Sequence, residues 1–170
     1  MQKAIGAGFS LRKAGLGDGP FLLSVRNAPE IRAQSKDQGI IPEPTHVAWL
    51  RAQLGSPNAV IWIVQDQGQR EGYVRAQEIE AGTLLLSIAL QAGFQGKGHG
   101  TWAVHEACRV LFETRGARSL LADVKVGNAA ARRLFESAGF APVSVETHKG
   151  LDFARFKLYA GELRSLPSVQ

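Results

Sequence analysis

The sequence predicts an α/β protein: a mixed sheet with helices on both faces, folded as one domain. Three observations predict it. Between Ser56 and Leu90 three β-rich runs are separated by polar or glycine turns, which is a β-meander. Beyond Leu90, helical and strand patterns alternate, as parallel pairing requires. The chain has 170 residues, the size of one domain, and no Pro/Gly/Ser linker divides it.

Each element has its own warrant. "FSLRKAG" alternates and predicts a short first strand. "GDGPFLLSVRNAPEIRAQS" predicts a helix starting at Asp18 or Gly19, ahead of Pro20, with a break or restart at Pro29. "GIIPEP" is a loop. Thr45 opens "THVAWLRAQLG", where Val47, Leu50 and Leu54 recur at helical spacing up to Gly55. "AVIWIVQ" is a strand, "DQGQREG" a polar turn, "YVRAQEI" a strand, "EAG" a turn, and "TLLLSIAL" a strand apolar on both faces. "GTWAVHEACRVLFETRG" is a helix stopped by Gly116. "SLLADVKV" is then a strand parallel to the previous one if the crossover is right-handed. Asn128 caps the helix "AAARRLFESA", which Gly139 ends. Two strands close the chain around His148, Lys149 and Gly150.

Composition narrows the class. The chain is 45% hydrophobic and 21% charged, and no run approaches the ~20 apolar residues of a membrane span. The N-terminus has too short an apolar segment for a signal peptide, which predicts a cytoplasmic protein. Cys108 is alone, on an apolar helical pattern, and reads as a buried inert thiol. The net charge of +5 suits an acidic partner, yet the basic residues are scattered and form no nucleic-acid-binding arm. They favour a phosphorylated small molecule, with no nucleic acid and no membrane as partner. The histidines lack metal-ligand spacing, so no metal is expected.

The glycine-rich stretch "LQAGFQGKGHGTWAV" sits directly before a helix, and three readings compete. One is a tight turn. Another is a dinucleotide fold, because Gly98 to Ala103 satisfies G-x-G-x-x-A and Asp123 lies twenty residues beyond Ala103. Against it, Asp123 falls inside the predicted strand, and an antiparallel meander stands where βαβ repeats belong. The third is an anion cradle, with glycine backbone N–H groups and the helix dipole facing phosphate oxygens.

The third reading has a family attached to it. Gln95, Gly98 and Gly100 occupy the fixed positions of Q/R-x-x-G-x-G/A, and "NAAARRLFESAGF" resembles a second signature, an Asn-capped helix ending in Gly-Phe. Together they resemble the GNAT acetyltransferases over nearly the whole chain. The resemblance implies one GNAT domain over residues 1–170. Its central sheet would be mostly antiparallel and twisted, with a splayed parallel strand pair. It implies acetyl-CoA as co-substrate. Gln95, Gly96, Lys97, Gly98, His99, Gly100 and Thr101 would hold the pyrophosphate, and the backbone of Ile88, Ala89 and Leu90 would pair with the pantetheine arm. Asn128, Arg132 and Phe135 would meet the same arm.

The N-terminal half resembles a narrower group. "VRNAPEIRAQSKDQGIIPEPTHVAWL" is similar to enzymes that acetylate the 4-amino group of nucleotide-linked sugars on the route to pseudaminic and related nonulosonic acids, with Ala28 where an acidic residue is usual. "ADVKVGN" fits the same group. The expected acceptor is then a UDP-amino sugar, held by Arg26, Asn27, Arg32, Ser35, Arg75 and Lys125. The amine would attack the thioester directly. His46 is the first choice of base and Glu78 the second, with a backbone N–H near Leu90 facing the oxyanion. Family members often place a tyrosine where this chain has Phe135, so another hydroxyl such as Ser87 or Tyr73, a water, or simply solvent would have to protonate the leaving thiolate. Trp49 is expected in the core. Other readings are an enzyme acting on a protein N-terminus or another small amine, and a non-catalytic acyl-CoA-binding module. Pairing as a homodimer is open.

Overall fold

The computed structural model describes residues 8–166; residues 1–7, part of the leader expectation, lie outside the described residues. Seven strands are present: β1 (Phe9–Lys13), β2 (Ala59–Asp66), β3 (Gln69–Glu80), β4 (Thr83–Leu90), β5 (Ser119–Lys125), β6 (Ala141–His148) and β7 (Leu151–Tyr159). Five helices accompany them: α1 (Gly19–Asn27), α2 (Pro29–Arg32), α3 (Glu43–Gly55), α4 (His99–Thr114) and α5 (Ala129–Ala138). The strands form one sheet in the order β1-β2-β3-β4-β5-β7-β6. Every pairing is antiparallel except β4 with β5.

The two faces follow from period-two alternation. Val60, Trp62, Val64, Val74, Ala76, Leu84 and Leu86 point to one side and form the main core with α4 and α5. In α4 the buried positions are Gly100, Ala103, Val104, Ala107, Cys108 and Leu111, an unbroken helical stripe. Burial pushes the Cys108 thiol up to about 12, so it is as inert as the sequence predicts. On the other face, Ile61 and Ile63 form a smaller core with Leu22 of α1 and Leu50 of α3.

Three expectations shift. The turn before β3 is only Gln67 and Gly68, both at positive φ (50° and 81°), so Gln69 to Gly72 join the ladder. This two-residue geometry matches strand twist, and polarity alone does not reveal it. Helix α3 starts at Glu43, with Pro44 in its first turn, where a missing N–H costs nothing. Its buried residues are His46 and Leu50, while Val47, Trp49 and Leu54 are exposed. The helix lies at the margin of the sheet and buries a strip only one residue wide.

Candidate active site

The parallel ladder between β4 and β5 has three pairs: Thr83 with Ser119, Leu84 with Leu120, and Leu85 with Leu121. Beyond them both strands continue, to Leu90 and Lys125, without pairing to each other. They part like a V, and the edge of β4 from Leu86 to Leu90, including Ile88 and Ala89, faces the gap. An extended chain laid in that gap would find backbone groups to pair with.

The mouth of the V is closed by the glycine stretch. Gln95 turns back and donates through Nε2 to the carbonyl of Leu90 (2.9 Å), tying the loop to the end of β4. Gly96 (φ 72°) and Gly98 (φ 82°) are left-handed, and Gly98 is the residue on which α4 starts. The first N–H of that helix to find a backbone partner is Trp102, which donates to Gly98 O. The N–H groups of His99, Gly100 and Thr101 therefore point out of the helix start, in the arrangement that binds phosphate. A Cβ on Gly96 would meet nothing within 4 Å, so the cradle is open, and exposed Lys97 stands beside it. These residues fit a pyrophosphate.

Two members of the loop have another task. A Cβ on Gly100 would lie 2.7 Å from Leu134, so this glycine lets α4 approach α5. The His99 side chain turns inward, where Nδ1 meets the buried carboxylate of Glu71 at 2.6 Å and the ring packs edge-on against Phe9. Its Nδ1 is therefore engaged inside the protein, while its backbone N–H faces the cradle.

Asn128 caps α5, its Oδ1 accepting from Ala131 N (3.1 Å), which leaves the amide N–H groups facing outward. Arg132 is exposed and pairs with Glu136 one turn along. Phe135 is buried edge-on against Phe140, so it shares no open face with Arg132 and supplies no polar group.

The face expected to receive the acceptor carries Tyr73 and Arg75 on β3, Ser87 on β4, and Asp123 and Lys125 on β5, which the strand registers put on one side of the sheet. Segment 33–41 runs over its far end. Arg26 donates to Asp37 O, Arg32 to Asn27 O and Gln38 O, Lys125 to Ala33 O, and Ser35 to Ile31 O. Asn27 grips Ile41 through both its N–H and its C=O. Arg75 donates to Gln53 and Gln77 and lies over the Trp49 ring. Most predicted acceptor residues therefore shape the loop that borders the site. Arg26 does so through Nη2, while its Nη1 is buried without a partner. Burial pushes the Tyr73 phenol up, against the opposing positive charges of Arg26 and Arg75.

Neither predicted base stands at the V. His46 is buried, and its Nε2 donates to the carbonyl of Gly19 (3.1 Å), linking α3 to α1. Burial holds its pKa below the ordinary value. Glu78 lies on the α4 side of the sheet, at the opposite end of β3, where its Oε1 accepts from Gly82 N. It lines a shallow depression there with Pro57, Asn58 and Arg115. Ser87 is exposed and Tyr73 half-buried on the acceptor face.

Sequence reasoning misses Asp123 as a site residue. Its carboxylate receives a two-point contact from Arg155 (2.8 and 2.9 Å) and a third from Lys36 (2.5 Å). Burial pushes this carboxyl up, but the hydrogen bonds from Arg155 and Lys36 prevail and hold it low. Among the described residues no group of His, Cys, Asp and Glu is arranged to hold a metal ion, and no helix is long and apolar enough to cross a membrane.

Comparison with known proteins agrees with this geometry. Residues 28–140 match the model of the acetyltransferase (GNAT) family. No curated protein matches the chain. Among solved structures, the chain is similar to a spermidine N-acetyltransferase from Vibrio cholerae in complex with CoA and spermine. The TM-score is 0.86 at 20% identity, covering 92% of this chain and 98% of that one. It is also similar to a ribosomal-protein-alanine N-acetyltransferase from Brucella melitensis (TM-score 0.77, 22% identity, 88% and 99% covered). A third is a putative acetyltransferase from Salmonella typhimurium with its cofactor acetyl-CoA (TM-score 0.73, 21% identity, 95% and 99% covered). These likenesses concern the fold. With the family match spanning well over half of the chain, this chain belongs to the GNAT family and is an acetyl-CoA-dependent N-acetyltransferase.

Proposed function

We propose that the acceptor is an amine on an anionic carrier, and that a UDP-linked 4-amino sugar is the acceptor the site fits best. The observation that carries this is the buried, unpartnered Nη1 of Arg26, next to Tyr73 on the acceptor side. A guanidinium nitrogen left without a partner is costly unless a ligand supplies one, and a phosphate oxygen is its natural complement. The surroundings support the same reading. Arg75, Lys125 and Arg155 on the strands, with Arg26 beside them, outnumber Asp123 and Glu146 on the same face. That excess of positive charge favours an anionic carrier over a polycationic one.

The amine attacks the thioester carbon, the C–N bond forms, and the C–S bond breaks. With His46 inside the protein and Glu78 on the far face, the amine proton passes to water. Tyr73 and Ser87 are the hydroxyls available to the departing thiolate from the acceptor side. The test is thiol release with a UDP-4-amino-4,6-dideoxy sugar, spermidine and a peptide with a free N-terminus, each with wild type and Arg26→Ala. The reading expects the sugar to have the highest kcat/KM and Arg26→Ala to raise the sugar KM alone. Preference for spermidine or the peptide overturns it.

A further inference from the structure

We propose that Asp123 is the anchor for the acceptor's amino group and that Lys36 occupies that anchor in the unloaded protein, as a built-in stand-in for the acceptor and a slow acetylation site. The inference rests on the reading that the amine arrives on the Tyr73–Ser87–Asp123 face of the V, but not on what the amine is attached to.

Position comes first. The last parallel pair is Leu85 with Leu121, so two residues further on Ser87 and Asp123 face each other across the opening on the acceptor side. A thioester lying along β4 would pass through the space between them. The carboxylate is nearly enclosed, with its side chain 9% exposed.

Charge comes second. The two-point contact from Arg155 already satisfies both oxygens of Asp123. Lys36 adds a second cation to a carboxylate that has one. It comes from the exposed segment 33–41, and its ammonium sits 5.7 Å from the centre of the Phe153 ring. A carboxylate beside an aromatic face is a binding place for an alkylammonium. Lys36 brings to it the group that an acceptor amine would bring, on a flexible stem that can withdraw. Glu146 and Arg155 approach at 3.9 Å on the outer side, and Asp37 is engaged by Lys149 and His148, so neither acid competes for the Lys36 ammonium.

Two consequences follow. An incoming amine displaces Lys36, so Lys36 competes with the acceptor. When no acceptor is present, the Lys36 amine is held where the acceptor amine would be. Once its proton has gone to water, its nitrogen bonds to the acetyl carbon, the C–S bond breaks, and the CoA thiolate leaves and takes a proton from solvent. The products are Nε-acetyl-Lys36 and free CoA.

The experiment incubates the full chain with acetyl-CoA and no acceptor, and maps acetylated lysines by mass spectrometry over time. Lys36 is expected to acquire acetyl faster than the exposed Lys97 and Lys149, and the acceptor amine is expected to suppress it. In steady state, Lys36→Met should lower the acceptor KM several-fold with the acetyl-CoA KM unchanged. Asp123→Asn should raise the acceptor KM by roughly tenfold or more, as loss of a charged hydrogen bond does. If Asp123→Asn fails to fold, the Lys36→Met result decides. Lys36 reacting no faster than the other lysines, with Lys36→Met raising the acceptor KM or only lowering Tm, makes the pair a structural ion pair and overturns the proposal. Kinetics are read on whichever of the sugar, spermidine or peptide wild type uses best. Failure of the sugar reading therefore shows as a different best acceptor, and failure of this one as an unreactive Lys36.

Discussion

At His46 a ring nitrogen and a carbonyl hold two helices together, and that strut has a measurable pH signature. Because burial lowers the pKa of His46 from 6.5, the unfolded chain binds a proton there more readily than the folded one. Stability contributed by the neutral ring is full above pH 6.5 and is lost as pH falls below it. Denaturation of His46→Gln should show a shallower loss between neutral and mildly acid pH than wild type, and turnover at neutral pH should hardly change. A turnover number lower by roughly a hundredfold or more, typical of removing a general base, would return the base role to His46. Gly98 offers the opposite case, a residue we propose serves a ligand. Valine there would strain a left-handed position (φ 82°) and set a branched side chain among the free N–H groups of the cradle. Gly98→Val should weaken acetyl-CoA binding by more than about tenfold in calorimetry while the protein still folds. The glycine spacing makes this residue legible in the sequence. The inward turn of His99 is not, because its partner Glu71 stands 28 positions earlier and no local pattern links the two.

Among the elements, α4 is readable from sequence because one face is buried along its whole length, from Gly100 to Leu111. Helix α3 is not, since a marginal helix obeys its few contacts rather than its apolar periodicity, and so Trp49 stacks near Arg75 and His46 outside the core. The β3–β4 hairpin carries a constraint of its own. A Cβ on Gly72 would fall 2.1 Å from the carbonyl of Ala89, a close backbone approach at the end of β4 that borders the V. Gly72→Ala must push the two strands apart there. We expect a loss of about 1–3 kcal/mol in urea denaturation, the range for an overpacked site. A higher acetyl-CoA KM should accompany it; full stability with unchanged KM would mean that the strand moves at no cost.

For the molecule as a whole, the order of elements and both signatures are legible locally, whereas the insertion of β7 between β5 and β6 is a long-range choice. That insertion sets Arg155 opposite Asp123, and it turns a residue that looks like a strand-buried acid into part of the proposed acceptor face. The three-pair seam between β4 and β5 has one more consequence. Mechanically, the sheet is two plates that meet along a short join, with the wedge between them open. In the binding mode we propose, a pantetheine arm would act as a keystone, completing hydrogen bonding that the polypeptide leaves unfinished and loading both plates at once. The donor is then a structural member as well as a reactant. At a hundred times its Kd it should add about 2.7 kcal/mol to stability. Amide exchange should slow along 86–90 and at the start of α4, with little change in β1 and β2. Protection spread evenly over all strands would show that the two plates already behave as one.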